Sequence, residues 1–594
     1  MKNAYSEKSV KGWLSRALLA AAPAGLLAAA PAGLLAFTVV FVGPLDILNS
    51  NRAYVPFSAG KLALPLLGVT LLVTLALAAL LALARGRAYK ALLGALFGAA
   101  LMLYLQGLLL NGHLASLDGS AFDWRDDAAG AIGNLAIWIA AVAACAVLSA
   151  LFFDTARLGV LVLCAAAFVS QSAGLIAAWQ PADESLNYQL DGSRQMELSS
   201  RSNFIVITFD QMSPLVFEQA IADDPQMQES LKDFEYFNNM SAEYSLTFPS
   251  LCFLMTHERY DTTKPTLDYF DRAWSSDGCE RFYDTLHRQN YEVKMCVEAN
   301  YAAYDAAHML GKADNVVEAG ALRVNGRLIA DVLELSLFRY CPVMLKTPFC
   351  ISTGQVAADA HYENVEPLRL AADYYDAVKE GVTTQDEKNC FAWYHVDGAH
   401  FPFTVGYDGL PLGYEAEETA ENRVAQLHGY LLAAVDFLDQ LKALGLYDDA
   451  TIILSADHGF YDCFQAAFLI KQPGQSFETM KVNAAPVAQE DIMATILYSL
   501  GEEPSDYGTT VYDWSEGDSR DRSTNIWIYL DGYPEAPWIG NINQWETVAH
   551  GMNRYNVFGV LNYNGDREAL WEKELLLYYS HTADEILPLY DSFY

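Results

Sequence analysis

The sequence predicts a five-helix membrane domain followed by an α/β domain with a largely parallel central sheet. Two observations carry this expectation. Five apolar runs, near Trp13–Val42, Leu62–Leu83, Ala91–Leu110, Ala131–Phe153 and Leu158–Ala177, each reach the roughly 20 residues needed to cross a hydrocarbon core. Beyond them, short apolar runs alternate with helix-like segments, the pattern of strands joined by helical crossovers.

The first run holds an internal echo, PAGLLAAA then PAGLLAF, with Pro23 and Pro31 placed to kink a helix. It follows Lys8, Lys11 and Arg16, as a cleavable signal peptide would. The run is too long for one, and four more spans follow it. Basic residues in short loops set orientation. Lys2, Lys8, Lys11 and Arg16 precede the first span, and Arg85, Arg87 and Lys90 join the second to the third. The third-to-fourth loop carries Asp118, Asp123, Asp126 and Asp127 against Arg125, while Asp154 and Arg157 nearly cancel in the next. The expected topology is a multi-pass protein of the cytoplasmic (plasma) membrane, N-terminus inside, with the large C-terminal part on the extracellular face. The expected divisions are 1–180 membrane domain, 181–203 polar juxtamembrane linker and 204–594 ectodomain.

Charge divides the same way. Residues 1–180 hold 11 Lys+Arg and 7 Asp+Glu, and the remainder 26 and 66, a net of about −40. So acidic a domain excludes nucleic acid as a partner, because phosphates demand basic patches. Of nine cysteines, Cys145 and Cys164 lie in spans and seven beyond, with Cys341 and Cys350 the nearest candidates for a disulfide. No C-x-x-C pair occurs, which argues against a structural zinc site of that kind.

In the ectodomain, strand-like runs fall at Phe204–Phe209, Tyr291–Cys296, Phe391–Val396 and Thr451–Ser455. The clearest helix runs from Arg423 to Leu444, with Gly445 placed to end it. Ligands of open parallel sheets bind beyond the carboxyl ends of the strands. Asp210, Asp397 and Asp457 all follow such runs.

Each candidate also has a plain structural reading. Asp210 can simply turn the chain, Asp457-His458-Gly459 can be an Asx-turn, and His400 can be a hydrogen-bonded core histidine. Against that, adjacent Asp and His offer a carboxylate oxygen and an imidazole nitrogen, a ligand pair suited to zinc or manganese. Thr247, in SLTFPSL, fits an N-cap with Phe248 and Pro249 as the first helical residues. A hydroxyl there also lies near free backbone N–H groups and the positive end of a helix, which suits a nucleophile. Local physics permits both.

The order of these elements resembles the sulfatase-like branch of the alkaline phosphatase superfamily: a strand ending in Asp210, Thr247-Phe-Pro-Ser 37 residues later, His400-Phe-Pro, then a strand ending in Asp457-His458-Gly459. With five preceding spans, it is most similar to membrane phosphoglycerol and phosphoethanolamine transferases of the lipoteichoic acid synthase type. The segment Asn483–Gly501 looks like the helix that closes such domains. The resemblance implies an alkaline phosphatase/sulfatase-like fold for the ectodomain. It implies one divalent metal ion (zinc, manganese or magnesium) among Asp210, Thr247, Asp457 and His458. It makes Thr247 the nucleophile of a phospho-threonine intermediate and His400 the residue that holds the phosphate or protonates the leaving group. His395 and Asp397 are further substrate or metal contacts. The implied partners are a membrane lipid donor and a cell-surface glycan or lipid acceptor. The chain departs from the pattern at Asp210, where the transferases usually carry Glu. The Trp and Arg that help hold phosphoglycerol have no counterpart near Glu298–Asp305. A sulfuric ester or phosphodiester hydrolase is one alternative; for sulfate, Thr247 cannot become formylglycine, and Leu251 stands where sulfatases carry Arg. A non-catalytic membrane scaffold of the same fold is another.

Overall fold

The computed structural model describes residues 27–51, 55, 57–111, 122–179, 188–260, 266–351, 356, 359–459, 465–526 and 559–563. Lys2, Lys8, Lys11, Arg16, Pro23, Asp118, Cys463 and the expected first span up to residue 26 lie outside them. Two compact units emerge, Met1–Leu186 with Ala321–Tyr362, and Asn187–Gly320 with Glu363–Tyr594. These units do not follow the divisions expected from sequence, because Ala321–Tyr362 groups with the N-terminal part. Nor are residues 188–203 of the expected linker plain. Tyr188–Leu190 pairs with Val316–Glu318 and Glu197–Ser199 with Thr383–Gln385.

In the first unit, five helices are long and apolar enough to cross a membrane: Leu27–Ser50, Ala59–Ala82, Gly86–Leu110, Ala128–Leu151 and Phe153–Ala178. The first continues past the expected Val42 to Ser50, and Asp154 and Arg157 sit inside the last helix rather than in a loop. Gly94 and Gly98 let the third and fourth helices touch; a Cβ on Gly94 would stand 2.3 Å from the Cys145 carbonyl oxygen. Small residues four apart are a recurrent device for close helix approach in lipid.

The inserted segment is held within this unit by its helix Gly326–Tyr340. Ser336 donates to the Val39 carbonyl at 2.5 Å, Arg339 pairs with Asp46 at 2.6 Å, and the Tyr340 ring fills the space that a Cβ on Gly107 would need. Gln106 centres a buried polar network. Its Oε1 accepts from Asn134 Nδ2 (2.8 Å) and Trp138 Nε1 (2.9 Å), and its Nε2 donates to Asn111 Oδ1 (2.8 Å). Asn111 in turn donates to the Arg339 carbonyl, and Asn134 Oδ1 accepts from Val343 N.

The second unit is built on a seven-stranded sheet: β1 Asn203–Phe209, β2 Glu235–Ser241, β3 Tyr291–Cys296, β4 Asn389–Val396, β5 Thr451–Ala456, β6 Gln465–Lys471 and β7 Lys481–Asn483. Their spatial order is β7-β2-β6-β5-β1-β4-β3, parallel throughout except for β6. The four runs expected from sequence are β1, β3, β4 and β5: β3 has the expected bounds, and the others differ by one or two residues at one end. Their residues are almost wholly buried, which is why they read as continuous apolar runs rather than alternating ones.

The expected helix at Arg423–Leu444 is α2, Ala420–Ala443, ended by Gly445 in the left-handed region at φ 71°. The helix expected within Asn483–Gly501 is shorter: α3 covers Asp491–Ser499, and Asn483 still belongs to β7. The disulfide expected between Cys341 and Cys350 is not formed: Cys341 is a free thiol.

Candidate metal centre and active site

Four parallel strands, β5, β1, β4 and β3, lie side by side, and each delivers a carboxylate just past its carboxyl end: Asp457, Asp210, Asp397 and Glu298 in that spatial order. Asp457 follows Ala456 directly, and its Oδ1 accepts from the backbone N–H of Gln211 (3.1 Å) and of His458 (2.7 Å). Gln489 holds the same strand end by donating to the Ala456 and Asp457 carbonyls. The backbone of Asp210 is gripped by Gly398. At φ 52°, a Cβ on Gly398 would stand 2.6 Å from the Asp210 carbonyl oxygen, which Ala399 N–H also meets at 2.8 Å.

Helix α1, Thr247–Thr256, begins next to these strand ends. The N-cap expected of Thr247 is not formed. Phe248 is extended (φ −89°, ψ 128°) between Thr247 and the regular helix, with a cis peptide to Pro249. That extended residue turns the Thr247 hydroxyl away from the helix, to donate to Asp210 Oδ2 at 3.2 Å and approach His458 Nε2 at 3.3 Å.

Asp210, Asp457 and His458 offer ligand atoms within 4.8 Å of one another, all buried. His458 Nε2 lies 3.6 Å from Asp210 Oδ1 and 3.5 Å from Asp457 Oδ2. Among the described residues, neither of those oxygens has a hydrogen-bond partner. His458 Nδ1 sits against the Gly459 carbonyl, which sets a proton there and leaves Nε2 facing the two carboxylates. Two orphaned carboxylate oxygens this close to one another repel unless a cation or proton lies between them.

Burial and the neighbouring Asp457 push Asp210 well above the usual carboxylate range. Burial pushes Asp457 the same way, but the His458 and His395 imidazoles reverse it and hold that group at about 2. Orphaned oxygens, a fixed imidazole tautomer and a hydroxyl make a donor set that fits one divalent ion.

The remaining candidates surround this cluster. His395 lies at the end of β4, its Nδ1 2.7 Å from Glu298 Oε2 and its Nε2 3.6 Å from Asp457 Oδ2. Burial alone would lower its pKa; Glu298 and Asp457 override that and hold it well above the ordinary histidine value. Asp397 accepts from the Tyr430 hydroxyl at 3.4 Å, and burial with Glu298 close by raises it to about 7. His400 is half-buried beside the cis Phe401–Pro402 bond; its Nδ1 meets the Phe401 carbonyl, and Gln426 donates to its own carbonyl at 2.6 Å. Burial, then the nearby His458, lowers His400 to about 4.

Glu298 and Gln489 were not singled out from sequence. Glu298 carried a usable signal, since it follows a strand run by two residues, much as Asp210, Asp397 and Asp457 follow theirs. Gln489 carried none, because its partners are backbone atoms of a distant strand.

A largely parallel sheet with this cluster at its carboxyl edge, in a chain with five membrane-capable helices, has the layout implied by the resemblance to the sulfatase-like branch of the alkaline phosphatase superfamily. Part of the chain is similar in sequence to a protein of the lipoteichoic acid synthase type. Over 137 residues the chain is 28% identical to lipoteichoic acid synthase of Staphylococcus saprophyticus, a match covering 18% of this chain and 20% of that relative. Among solved structures it is similar to the lipoteichoic acid synthase LtaP from Listeria monocytogenes, at 14% identity and TM-score 0.33 over 57% of this chain and 79% of that one. It is also similar to the phosphonate monoester hydrolase SpPMH from Silicibacter pomeroyi, at 16% identity and TM-score 0.33 over 56% and 81%. These relatives are enzymes by name. No family model matches the chain.

Proposed function

We propose that this is a membrane-anchored, metal-dependent sulfatase-like transferase or hydrolase that moves a phospho-group from a lipid phosphodiester to a cell-envelope acceptor. The group is of the phosphoglycerol or phosphoethanolamine type, the site faces outside the cell, and the acceptor is a surface glycan, a lipid or water. One observation carries the reading: the Thr247 hydroxyl lies within hydrogen-bond reach of both Asp210 Oδ2 and His458 Nε2, the latter 3.6 Å from Asp210 Oδ1 and 3.5 Å from Asp457 Oδ2.

Asp210, Asp457 and His458, with Thr247, would hold the divalent ion. When bound, it acidifies a hydroxyl and offsets charge on phosphoryl oxygens. The chain's own residues do the rest. Asp210 orients the hydroxyl, and Thr247 Oγ forms a bond to phosphorus as the bond to the lipid alkoxide breaks. In balance, the hydroxyl proton ends on the departing alkoxide. We assign its carriage to His400, neutral near pH 7 because its pKa is lowered to about 4, with Nδ1 committed to the Phe401 carbonyl and Nε2 left to accept. In the second step the acceptor oxygen attacks phosphorus, its proton leaves by the same nitrogen, and the Thr247 hydroxyl is restored. His395 and Asp397 line the site beside these groups.

The test is to incubate the full chain, in detergent with manganese, with vesicles of phosphatidylglycerol or of phosphatidylethanolamine, and to map adducts by mass spectrometry. A phospho-adduct on the Thr247 peptide is expected, its mass naming the group transferred. Turnover that survives Thr247→Ala would remove Thr247 from the nucleophile's role.

A further inference from the structure

We propose that Glu298 and His395 form a positioning pair that steadies Asp457, the carboxylate through which the centre grips its ion. The proposal rests on the metal-centre reading above and adds to it residues that reach the ion only through another side chain.

Asp457 is fixed on one side only. Its Oδ1 is taken by two backbone N–H groups, from Gln211 and His458, which leaves Oδ2 to meet an ion. Among the described residues, Oδ2 has no hydrogen-bond partner, and neither has His395 Nε2, which faces it at 3.6 Å. His395 is 2% exposed, so solvent cannot satisfy that nitrogen.

The ring of His395 is set from behind. A carboxylate oxygen faces each ring nitrogen, Glu298 Oε2 at 2.7 Å from Nδ1 and Asp457 Oδ2 at 3.6 Å from Nε2, so Glu298 holds the Nδ1–H and aims the Nε2–H at Asp457. Strand pairing makes this arrangement: β3 and β4 run parallel with Cys296 opposite Tyr394. Glu298, two residues beyond Cys296, and His395, one beyond Tyr394, therefore emerge side by side. Outer partners of this kind fix the plane of a ligating carboxylate, and their loss typically costs about 10–100-fold in metal affinity. His395 is not itself part of the ligand cluster, which comprises Asp210, Asp457 and His458.

The experiment titrates the metal-stripped full chain in detergent with Mn²⁺, following bound ion, and records the unfolding midpoint of each metal-free variant as a control for folding. Glu298→Ala is expected to weaken binding by about 10–100-fold. Glu298→Gln should stay within a few-fold of wild type, because its amide oxygen still accepts the Nδ1 proton. His395→Ala should match Glu298→Ala, and the double variant should be no weaker than either, because the two residues act as one unit. Wild-type affinity in Glu298→Ala, or losses that add in the double variant, would overturn the pair. Should Glu298→Ala fail to fold, His395→Gln takes its place: weakened binding supports the pair and unchanged binding overturns it. A wild-type chain that binds no Mn²⁺ sinks the metal reading itself, a result distinct from wild-type binding that ignores Glu298.

Discussion

Two buried polar assemblies, one in each unit, follow opposite rules. Around Gln106, amide oxygen and nitrogen both have partners, and the partners are satisfied in turn by Arg339 and Val343 backbone. Around Asp457, Asp210 Oδ1, Asp457 Oδ2 and His395 Nε2 have none among the described residues, although they are buried. A closed network buried among apolar helices contributes stability and asks for nothing more. An open one stores unfavourable free energy until something completes it, and a cluster of carboxylate and imidazole atoms is completed by a cation. Orphaned atoms thus separate a site from a structural network more sharply than polarity or burial does.

The contrast can be broken most forcefully at Thr247. Thr247→Ala should lower turnover of a lipid phosphodiester by on the order of 10³-fold or more. Its unfolding midpoint should barely move, because the hydroxyl serves the cluster and caps no helix. Activity assay and thermal melt of the same preparation check both halves. Gln106→Leu should do the reverse. It strands the Asn134, Trp138 and Asn111 groups together, which should cost about 1–3 kcal/mol in detergent unfolding at interhelical values of about 0.6–1.7 kcal/mol per bond. Metal affinity should be unchanged.

Asp210→Asn sharpens the comparison at smaller amplitude. By relieving like-charge repulsion it should stabilise the metal-free chain by about 1 kcal/mol while weakening ion binding. An equal loss of stability and binding would mean that Asp210 is structural.

The smallest effect is one of pH. His400 sits at about 4 against an ordinary 6.5, so the unfolded chain binds its proton more readily than the folded one. The stability it contributes is full above about pH 6.5 and is lost as pH falls towards 4, with a slope of at most about 1.4 kcal/mol per pH unit. In metal-free protein, His400→Gln should flatten that acid limb, as denaturant melts across the window would show.

Much of this was legible in the residues. The β1, β3, β4 and β5 runs announce themselves because a parallel sheet buries both faces, and Asp210, Asp397 and Asp457 follow by position. The antiparallel β6 and the edge pair β2 and β7 escaped. β2, EYFNNMS, mixes polar and apolar residues without alternation, and β7 has three residues. For Thr247 the local sequence permits both a cap and a nucleophile, because Thr-x-Pro scans as a helix start; the extended Phe248 turns its hydroxyl away from the cap. Ala321–Tyr362 could not be assigned to the membrane unit from sequence. Its contacts are single groups such as Ser336 and Arg339 meeting partners about 300 residues earlier, and they leave no period behind. Glu298 was within reach of the strand-end rule that found its three neighbours.

The central claim is that the open cluster is a metal centre, and ion stoichiometry tests it most directly. The metal-stripped full chain, dialysed separately against zinc, manganese and magnesium, is predicted to retain one ion per chain of at least one of them, and Asp457→Asn to retain none. A wild-type chain that keeps no ion, or an Asp457→Asn chain that keeps as much as wild type, would contradict the account.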